Sequence, residues 1–557
     1  MTKFVFVTGG VMSGIGKGVT SASIGKLFQF RDFRVAMIKI DPYLNIDPGT
    51  LNPVEHGEVF ICEEVWDFEP VKGQVYHISE IDQDFGTYER FLNQNIHPSS
   101  NITSGQVYLT VLLREREGTH YLGKTIQIIP HITNEIKRRI RQVARRENPD
   151  VLITEIGGTV GDIEAMPFLE AIRQFRLEEP EENTISVHVT LVPFLETVGE
   201  FKSKPTQHSV KALQGAGLQP NIIICRSSQP LPEPVRKKIS LYSNIPAAAV
   251  ISSHDIDIIY ELPLLYEQQG LGDFLINRFH MNVREAHTTD WQGLIDQFKN
   301  PLEIVNIALP GKYIDIMDSY VSINESLKHA SMNCGAKVNI SWLDTEAFEQ
   351  NPEQIPLALS GFDGILLTPG FGIRGVEGMI LSASYALKNK VPYLGICFGA
   401  QLFFVAFCRD MLGLEKANTT EVDKDTPYPV VDLLPEQKEI QEKGGTMRLG
   451  GHVVKVKPKS LLYEAYEAEE IVERFRHRYH IIPEFAKQAE KKGLVISGHD
   501  KTGRIINTIE YSKDGNWIVG TQFHPEYKSH PTNPSPIYCA FIHKALEYRN
   551  RQQREAI

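Results

Sequence analysis

Long apolar runs, paired cysteines and an excess of positive charge are all missing from this chain of 557 residues. Nowhere do about 18 uncharged apolar residues follow one another, so no segment is expected to span a membrane as a helix. Residues 1–10 hold one lysine and a short apolar run that enters a glycine turn, without the regional order of a signal peptide. The six cysteines include no CxxC pair and make no disulfide framework, which points to a reduced, cytoplasmic protein. Five of them, Cys62, Cys225, Cys334, Cys408 and Cys539, read as core thiols. A net charge of -11 speaks against a general binder of nucleic acid or anionic membrane. It leaves room for a local cationic pocket.

What is present is the balance of a globular protein, 42% hydrophobic and 23% charged. A chain this long implies about three domains, or two large ones. In the first half, short β-branched runs (Lys3–Thr8, Val35–Lys39, Val151–Glu155, Ser186–Val192, Asn221–Cys225) alternate with amphipathic segments such as Ile132–Arg146. Strands separated by helices predict a doubly wound parallel sheet. Between about Gly272 and Pro301 the pattern loosens, and a second α/β series follows through Glu303–Leu309, Lys337–Leu343, Gly364–Leu367 and Tyr393–Gly395. The reading is two doubly wound domains, 1–275 and 302–557, joined by a connection at 276–301. The acidic segment Cys62 to Gln83 reads as a loop excursion.

Thr8-Gly9-Gly10-Val11-Met12-Ser13-Gly14-Ile15-Gly16-Lys17-Gly18 follows the first strand and opens a helix near Val19. Glycines let successive N–H groups face an anion, and a helix N-terminus adds partial positive charge. Lys17 would reach terminal phosphates. The spacing departs from the ordinary P-loop, and Gly18 stands where a metal-binding hydroxyl is usual. A plain tight βα turn is the alternative. Carboxylates elsewhere would then hold any cation, and Glu155, ending an apolar strand, is one candidate. Asp84 is another, although a turn cap would explain it as well. Lys39, at the end of the second strand, is a further cation within reach of phosphate. Lys202-Ser203-Lys204-Pro205-Thr206-Gln207-His208 precedes a helix and could bind a second triphosphate or be an exposed basic loop.

In the second half, Gly395-Ile396-Cys397-Phe398-Gly399 joins a strand to a helix with the spacing of a nucleophile elbow. The helix N-terminus favours the thiolate, and the Phe398 N–H would face an oxyanion. Downstream, His524 and Glu526 lie two residues apart and, on a strand, would share a face. A Cys–His–Glu set implies acyl transfer from an amide through a thioester.

Together these stretches resemble the CTP synthase family along nearly the whole chain. Matching segments include Thr8–Gly18, Lys39-Ile40-Asp41-Pro42-Tyr43, His56-Gly57-Glu58-Val59-Phe60, Leu122-Gly123-Lys124-Thr125, Glu155–Glu164, Lys202–His208, Gly395–Gln401, Gly445–Gly450, Arg476-His477-Arg478-Tyr479 and His524-Pro525-Glu526. The resemblance implies an N-terminal amidoligase domain and a C-terminal class I glutamine amidotransferase domain. ATP would phosphorylate O4 of UTP; glutamine hydrolysis at Cys397, with His524 as base and Glu526 orienting it, would supply ammonia that travels inside the protein. It further implies that Ser13, Gly14, Ile15, Gly16, Lys17, Gly18 and Lys39 hold ATP, with Asp255 and Ile256 at the adenine and Asp84 and Glu155 on Mg²⁺. Ser13, Lys202, Lys204, Gln207 and Lys238 would bind UTP, and Glu164 would serve inhibition by CTP. Gly370, Phe398, Gln401, Glu421 and Arg478 would bind glutamine. The family also implies homotetramers, with filaments in some members, and activation by GTP near a lid around Arg374. Neither nucleic acid nor membrane is an expected partner.

Two features depart from the family pattern. Thr368-Pro369-Gly370-Phe371-Gly372 replaces Pro-Gly-Gly-Phe-Gly, and proline brings no N–H to an oxyanion. The stretch between Glu63 and Asp84 is longer and less glycine-rich than the family's acidic run. Other readings are an amidase of carboxylates, of the cobyrinic acid type, or a non-catalytic scaffold. The Lys202–Gln207 loop and His56-Gly57-Glu58 favour UTP over a carboxylate. An intact Lys17 and Cys397–His524–Glu526 set argue against a scaffold.

Overall fold

The structure, a computed structural model, describes residues 1–51, 57–312, 317–437 and 446–555; His56 and Gly445, each at the edge of a stretch quoted above, lie outside them. The chain forms two compact units, one of residues 1–48 and 66–292, the other of 49–65 and 293–557.

The first unit is built on a seven-stranded sheet in the order Val250–His254, Ile222–Ser227, Thr184–Leu191, Lys3–Gly9, Val151–Ile156, Val35–Asp41, Asn101–Thr103. All its pairings are parallel. Helices cover both faces, so the strands read as unbroken apolar runs rather than alternating ones. Val5, Phe6, Val7, Leu152 and Ile153 are completely buried. Each such side chain contributes about 1.5–3 kcal/mol when taken from water. Phe175 of the helix Met166–Glu178 packs edge-on against Phe4 and Phe6, with ring centroids 4.9 and 5.4 Å away. Parallel strands bring all their carboxyl ends to one edge, where ligands of open sheets bind. Gly9, Lys39, Asp41 and Glu155 lie at that edge, and Asp255 immediately follows the strand Val250–His254.

The second unit holds a nine-stranded sheet ordered Ala336–Asp344, Glu303–Gly311, Gly364–Leu367, Tyr393–Ile396, Ile518–Thr521, Ile506–Tyr511, Val495–His499, Arg448–Val456, Glu470–His477. The first five strands are parallel, as the sequence pattern predicts for the doubly wound part. The last four add in antiparallel fashion. The segment of residues 49–65 folds with this unit. Glu58 accepts hydrogen bonds from the Ser322 N–H at 3.0 Å and its hydroxyl at 2.5 Å, and Tyr527 Oη donates to the Val59 carbonyl at 3.2 Å. Glu58, read from sequence as a sign of UTP recognition, is therefore engaged with the helix Val321–Cys334.

Three local expectations differ from what is found. The segment Cys62 to Gln83 is not a loop excursion. It forms most of a two-stranded ribbon, Phe60–Val71 with Gln74–Ile81, turned at Lys72-Gly73 with Gly73 at φ 89°. Acidic residues on the solvated face hid the strand alternation. The span 276–301 carries the helix Thr289–Lys299, whose Trp291 and Ile295, one turn apart, are buried. The Trp291 indole donates to the Tyr260 carbonyl at 2.7 Å, and the units divide between Gln292 and Gly293. Of the five cysteines taken as core, Cys62, Cys225 and Cys408 are buried, but Cys334 and Cys539 are half-exposed. These two sit near helix ends at the margin of their apolar cluster.

Candidate active sites

In the first unit the helix Lys17–Gln29 starts at Lys17, two residues before the predicted start. Gly14 at φ 70° and Gly16 at φ 90° provide the left-handed turns that curl the preceding loop. Side-chain-free positions bring the charged groups close. A Cβ on Gly9 would lie 2.6 Å from Lys17 Cδ, and one on Gly18 would lie 2.4 Å from Asp84 Oδ1. Lys17 Nζ donates to the Gly158 carbonyl at 2.7 Å, and burial lowers its pKa despite the nearby carboxylates. Behind the loop, His188 bridges Thr8 Oγ1 at 2.9 Å and Ser209 Oγ at 2.7 Å. Burial brings its pKa down to about 3, so it serves there as a neutral spacer.

Lys39 is the electrostatic centre of this site. Its ammonium contacts Asp84, lies 3.0 Å from Glu155 Oε1 and reaches Asp82 at 3.9 Å. Burial opposes its charge, but Asp84, Glu155 and Asp82 outweigh that and hold its pKa well above the ordinary value. Tyr88 fixes the second Glu155 oxygen at 2.5 Å. Asp82, which sequence reading passed over, is pushed up to about 6 by burial and by neighbouring carboxylates, although Lys39 pulls it down. Asp41 is raised well above the carboxylate range by burial and by Asp82. The fold thus gathers Lys17, Gly18, Lys39, Asp84 and Glu155.

The remaining predicted residues of this unit are more dispersed. Asp255, exposed, pairs with Arg226 at 2.6 Å, and half-buried Ile256 follows it. Lys202 pairs with Glu200 at 2.6 Å. Lys204 begins the helix Lys204–Gly215, and buried Gln207 donates to Ser203 Oγ at 3.1 Å. Lys238 is exposed on the helix Glu233–Ser243, and Glu164 is exposed in the turn Ile163–Ala165. Ser13 is exposed in the glycine loop.

In the second unit the strand Tyr393–Ile396 meets the helix Phe398–Leu412 at Cys397, whose backbone stands at φ 51°, ψ -100°. Such a conformation is strained for any residue with a side chain. The flanking glycines make it possible. A Cβ on Gly399 would approach the Leu367 carbonyl oxygen to 2.2 Å, and one on Gly395 would approach Gly399 backbone to 2.8 Å. The Cys397 N–H donates to the Thr521 carbonyl at 2.6 Å, which ties the elbow to the neighbouring strand.

His524 and Glu526 are not on a strand, contrary to the shared-face argument. The strand Ile518–Thr521 ends before them, and His524 is the residue before the short helical turn Pro525–Lys528. The turn nevertheless brings Glu526 Oε1 to 2.7 Å from His524 Nδ1, both side chains being buried. Burial disfavours the imidazolium, but Glu526 and the Cys397 sulfur outweigh it and lift His524 to about 10. Among the described residues its Nε2 meets no hydrogen-bond partner of ordinary geometry. With Nδ1 held by Glu526, Nε2 is the nitrogen left to carry and deliver the proton of the set.

Cys397 opens onto a cavity of about 650 Å³ that Gly370, Phe398, Gln401, Glu421, Arg478 and His524 all line. Gln401 Nε2 bridges the Tyr479 carbonyl and Gln522 Oε1, both at 3.0 Å. Glu421, raised by burial, accepts from the Gly372 N–H at 2.9 Å. Arg478 donates to Gln437 Oε1 at 2.7 Å. Pro369 also lines the cavity, so the altered loop faces the nucleophile. Arg374 pairs with Glu346 at 2.9 Å.

Two residues of this site escaped sequence reading. Gln522 Nε2 lies 3.4 Å from Cys397 Sγ. It stood in plain view two residues before His524, but a carboxamide carries no motif signal. Lys312 Nζ binds the carbonyls of Phe371 at 3.1 Å and Gly372 at 2.6 Å, so it clamps the altered loop. Burial drops its pKa to about 8.

A phosphate-loop unit with strand-end carboxylates, on one chain with a cysteine elbow for amides, defines a glutamine-dependent ligase. Residues 3–281 match the family description "CTP synthase N-terminus" and residues 315–544 match "Glutamine amidotransferase class-I". The chain belongs to the CTP synthase family. It is 49% identical over 556 residues to the CTP synthase of Pyrococcus abyssi, covering 100% of both chains. It is 48% identical over 549 residues to that of Caldanaerobacter subterraneus, covering 99% of both. Among solved structures it is similar to a Trypanosoma brucei glutaminase domain with bound acivicin, at 31% identity. That match covers 44% of this chain and 94% of that one, with a TM-score of 0.41. Membership over the full length carries the reaction: UTP is aminated to CTP, with ATP as co-substrate and glutamine as nitrogen source.

Proposed function

We propose that the two sites divide this reaction, the first activating UTP and the second releasing ammonia. Two complete sets of chemistry on one chain support the reading. Lys17, within the loop Ser13–Gly18, and Lys39 take the ATP role, with Asp255 and Ile256 at the adenine. Lys202, Lys204, Gln207 and Lys238, with Ser13, hold UTP. Transfer of the γ-phosphoryl group to O4 of UTP gives C4 a phosphate leaving group, and ammonia displaces it. Asp84 and Glu155 fit Mg²⁺, because hard cations on nucleotides take one or two carboxylates alongside phosphate oxygens. The Lys39 ammonium already places positive charge between these two carboxylates. When bound, the metal supplies charge neutralisation on the phosphates.

In the second unit the thiolate of Cys397 attacks the carboxamide carbon of glutamine. The helix N-terminus at Phe398 faces the oxyanion, and His524 passes its proton to departing ammonia. Water then releases glutamate, with His524 as base. Gly370, Gln401, Glu421 and Arg478 position the substrate. GTP activation near Arg374, CTP inhibition through Glu164, homotetramers, filaments and a cytoplasmic setting are carried by family likeness. Among the described residues no helix is long and apolar enough to cross a membrane.

The domain boundaries 1–275 and 302–557 are proposed as functional limits, with the segment 49–65 assigned to the glutaminase side. The test is CTP formation from UTP, ATP and Mg²⁺, with ammonia compared against glutamine plus GTP. Product from both sources is expected. Absence of product from ammonia would refute the division of labour.

A further inference from the structure

Five cysteines take no part in the chemistry above, and they fall into two groups. Cys62, Cys225 and Cys408 are completely buried. Cys334 and Cys539 are half-exposed and adjacent, although 205 residues separate them in sequence. Cys334 closes the helix Val321–Cys334, and Cys539 lies in the first turn of the helix Pro536–Glu555. Cys334 Sγ reaches the Cys539 carbonyl oxygen at 4.0 Å. The helices are locked in this register by a common apolar cluster that includes Ile323, Leu327, Ile537 and Phe541.

We propose that Cys334 and Cys539 form a reversible dithiol–disulfide site that responds to peroxide. The thiolate of Cys539 attacks hydrogen peroxide. An S–O bond forms, the O–O bond breaks, and hydroxide leaves to take a proton. The Cys334 sulfur then attacks the sulfenic sulfur, so an S–S bond forms, the S–O bond breaks and a second water departs. Two thiols are oxidised and one peroxide is reduced to two waters. Cys334 Sγ is engaged with the Cys539 carbonyl, while the neighbouring thiol holds Cys539 below the ordinary range, which marks Cys539 as the first to react. Thiolate character and exposure are what mark an oxidisable cysteine. Dithiol reductants reverse the bond by exchange.

The crosslink would tether a helix that supports the glutaminase triad. Ser326 Oγ donates to the Glu526 carbonyl at 3.2 Å, His329 Nδ1 lies 3.0 Å from Ser529 Oγ, and Asn333 Nδ2 donates to the Pro531 carbonyl at 2.9 Å. One helix therefore connects the dithiol to the segment that carries Glu526.

The experiment uses the full chain, reduced, desalted and exposed to a few equivalents of hydrogen peroxide. Remaining thiols are then blocked with iodoacetamide and the chain is digested without reductant for mass spectrometry. The expected product is one peptide pair joined through Cys334 and Cys539, two hydrogens lighter than its parts and released by dithiothreitol. The Cys397→Ser variant should give the same pair, which separates this site from oxidation of the nucleophile. A closed loop of this length should raise the apparent Tm by about 4 °C or more. That rise should be absent from Cys539→Ser and Cys539→Ala. Recovery of Cys334 and Cys539 as separate alkylated or sulfinic peptides would overturn the proposal. So would linkage of either one to a different cysteine.

Discussion

Replacing Glu526 by glutamine keeps the volume of the triad's third member and removes only its charge. His524 and Glu526 meet at 2.7 Å with both side chains buried, so little solvent screens the pair. His524 is lifted to about 10 from its ordinary 6.5 against the pull of burial. At about 1.4 kcal/mol per pKa unit, the whole rise corresponds to about 5 kcal/mol as a ceiling. Cys397 carries part of it, leaving Glu526 about 2–3 kcal/mol, or about 30- to 200-fold in rate. Loss of ring orientation adds to this, so glutamine-driven kcat/KM should fall by about 10²–10³. Ammonia-driven CTP formation should stay within about twofold, because no step of it uses His524. The two rates are read side by side as CTP absorbance, with glutamate release as the direct glutaminase assay. A glutamine-driven rate within about threefold of wild type would refute the electrostatic reasoning, and a parallel fall of both rates would refute the separation of sites. The pair also has a pH signature. Since the imidazolium is held above its ordinary value, its contribution to stability is complete below about 6.5 and is lost as pH rises through about 10. The Tm difference between wild type and Glu526→Gln should narrow over that interval.

Other substitutions probe the remaining parts. Cys397→Ala should abolish glutamine-driven synthesis and spare the ammonia-driven reaction; loss of both in a folded protein would contradict the assignment. Lys17→Ala should lower both by more than about 10²-fold, since the phosphates lose a charge held in a buried setting; retained synthesis would remove Lys17 from its role. Pro369→Gly should raise glutamine-driven kcat/KM by about tenfold, because one oxyanion N–H can contribute 10²–10³ and the restored amide recovers part of that. An unchanged rate would show that the loop does not limit hydrolysis. Gly399→Ala should cost about 3 kcal/mol or more, because the new methyl would lie 2.2 Å from the Leu367 carbonyl oxygen. A Tm within 1 °C of wild type would contradict this close approach.

The nucleophile elbow was legible because its requirements are local. Gly395 and Gly399 are demanded by backbone approaches within one strand–turn–helix unit, and the residues appear in order along the chain. The glycine loop before Lys17 was legible for the same reason. Asp82, Lys312 and Gln522 were not, since each acts through a neighbour far away in sequence and none has a motif of its own. The His524–Glu526 pair was found by its spacing, but the supporting argument failed; a helical turn, not a strand, joins them. The ribbon Phe60–Val71 with Gln74–Ile81 was hidden by its acidic outer face. The antiparallel half of the second sheet is spread over short strands between residues 448 and 511, where no regular crossover helix marks the sequence.

The membership of residues 49–65 in the second unit has a consequence for synthesis on the ribosome. This short piece emerges early, yet the Tyr527 hydroxyl that binds its Val59 carbonyl and the Ser322 groups that hold Glu58 are translated much later. At about 5–20 residues per second, roughly half a minute to a minute and a half separates Val59 from Tyr527. During that interval Phe60, buried in the finished protein, lacks the Tyr527 ring it packs against at 5.3 Å. The glutaminase unit is therefore discontinuous in sequence, and one of its strands is made long before the residues that hold it.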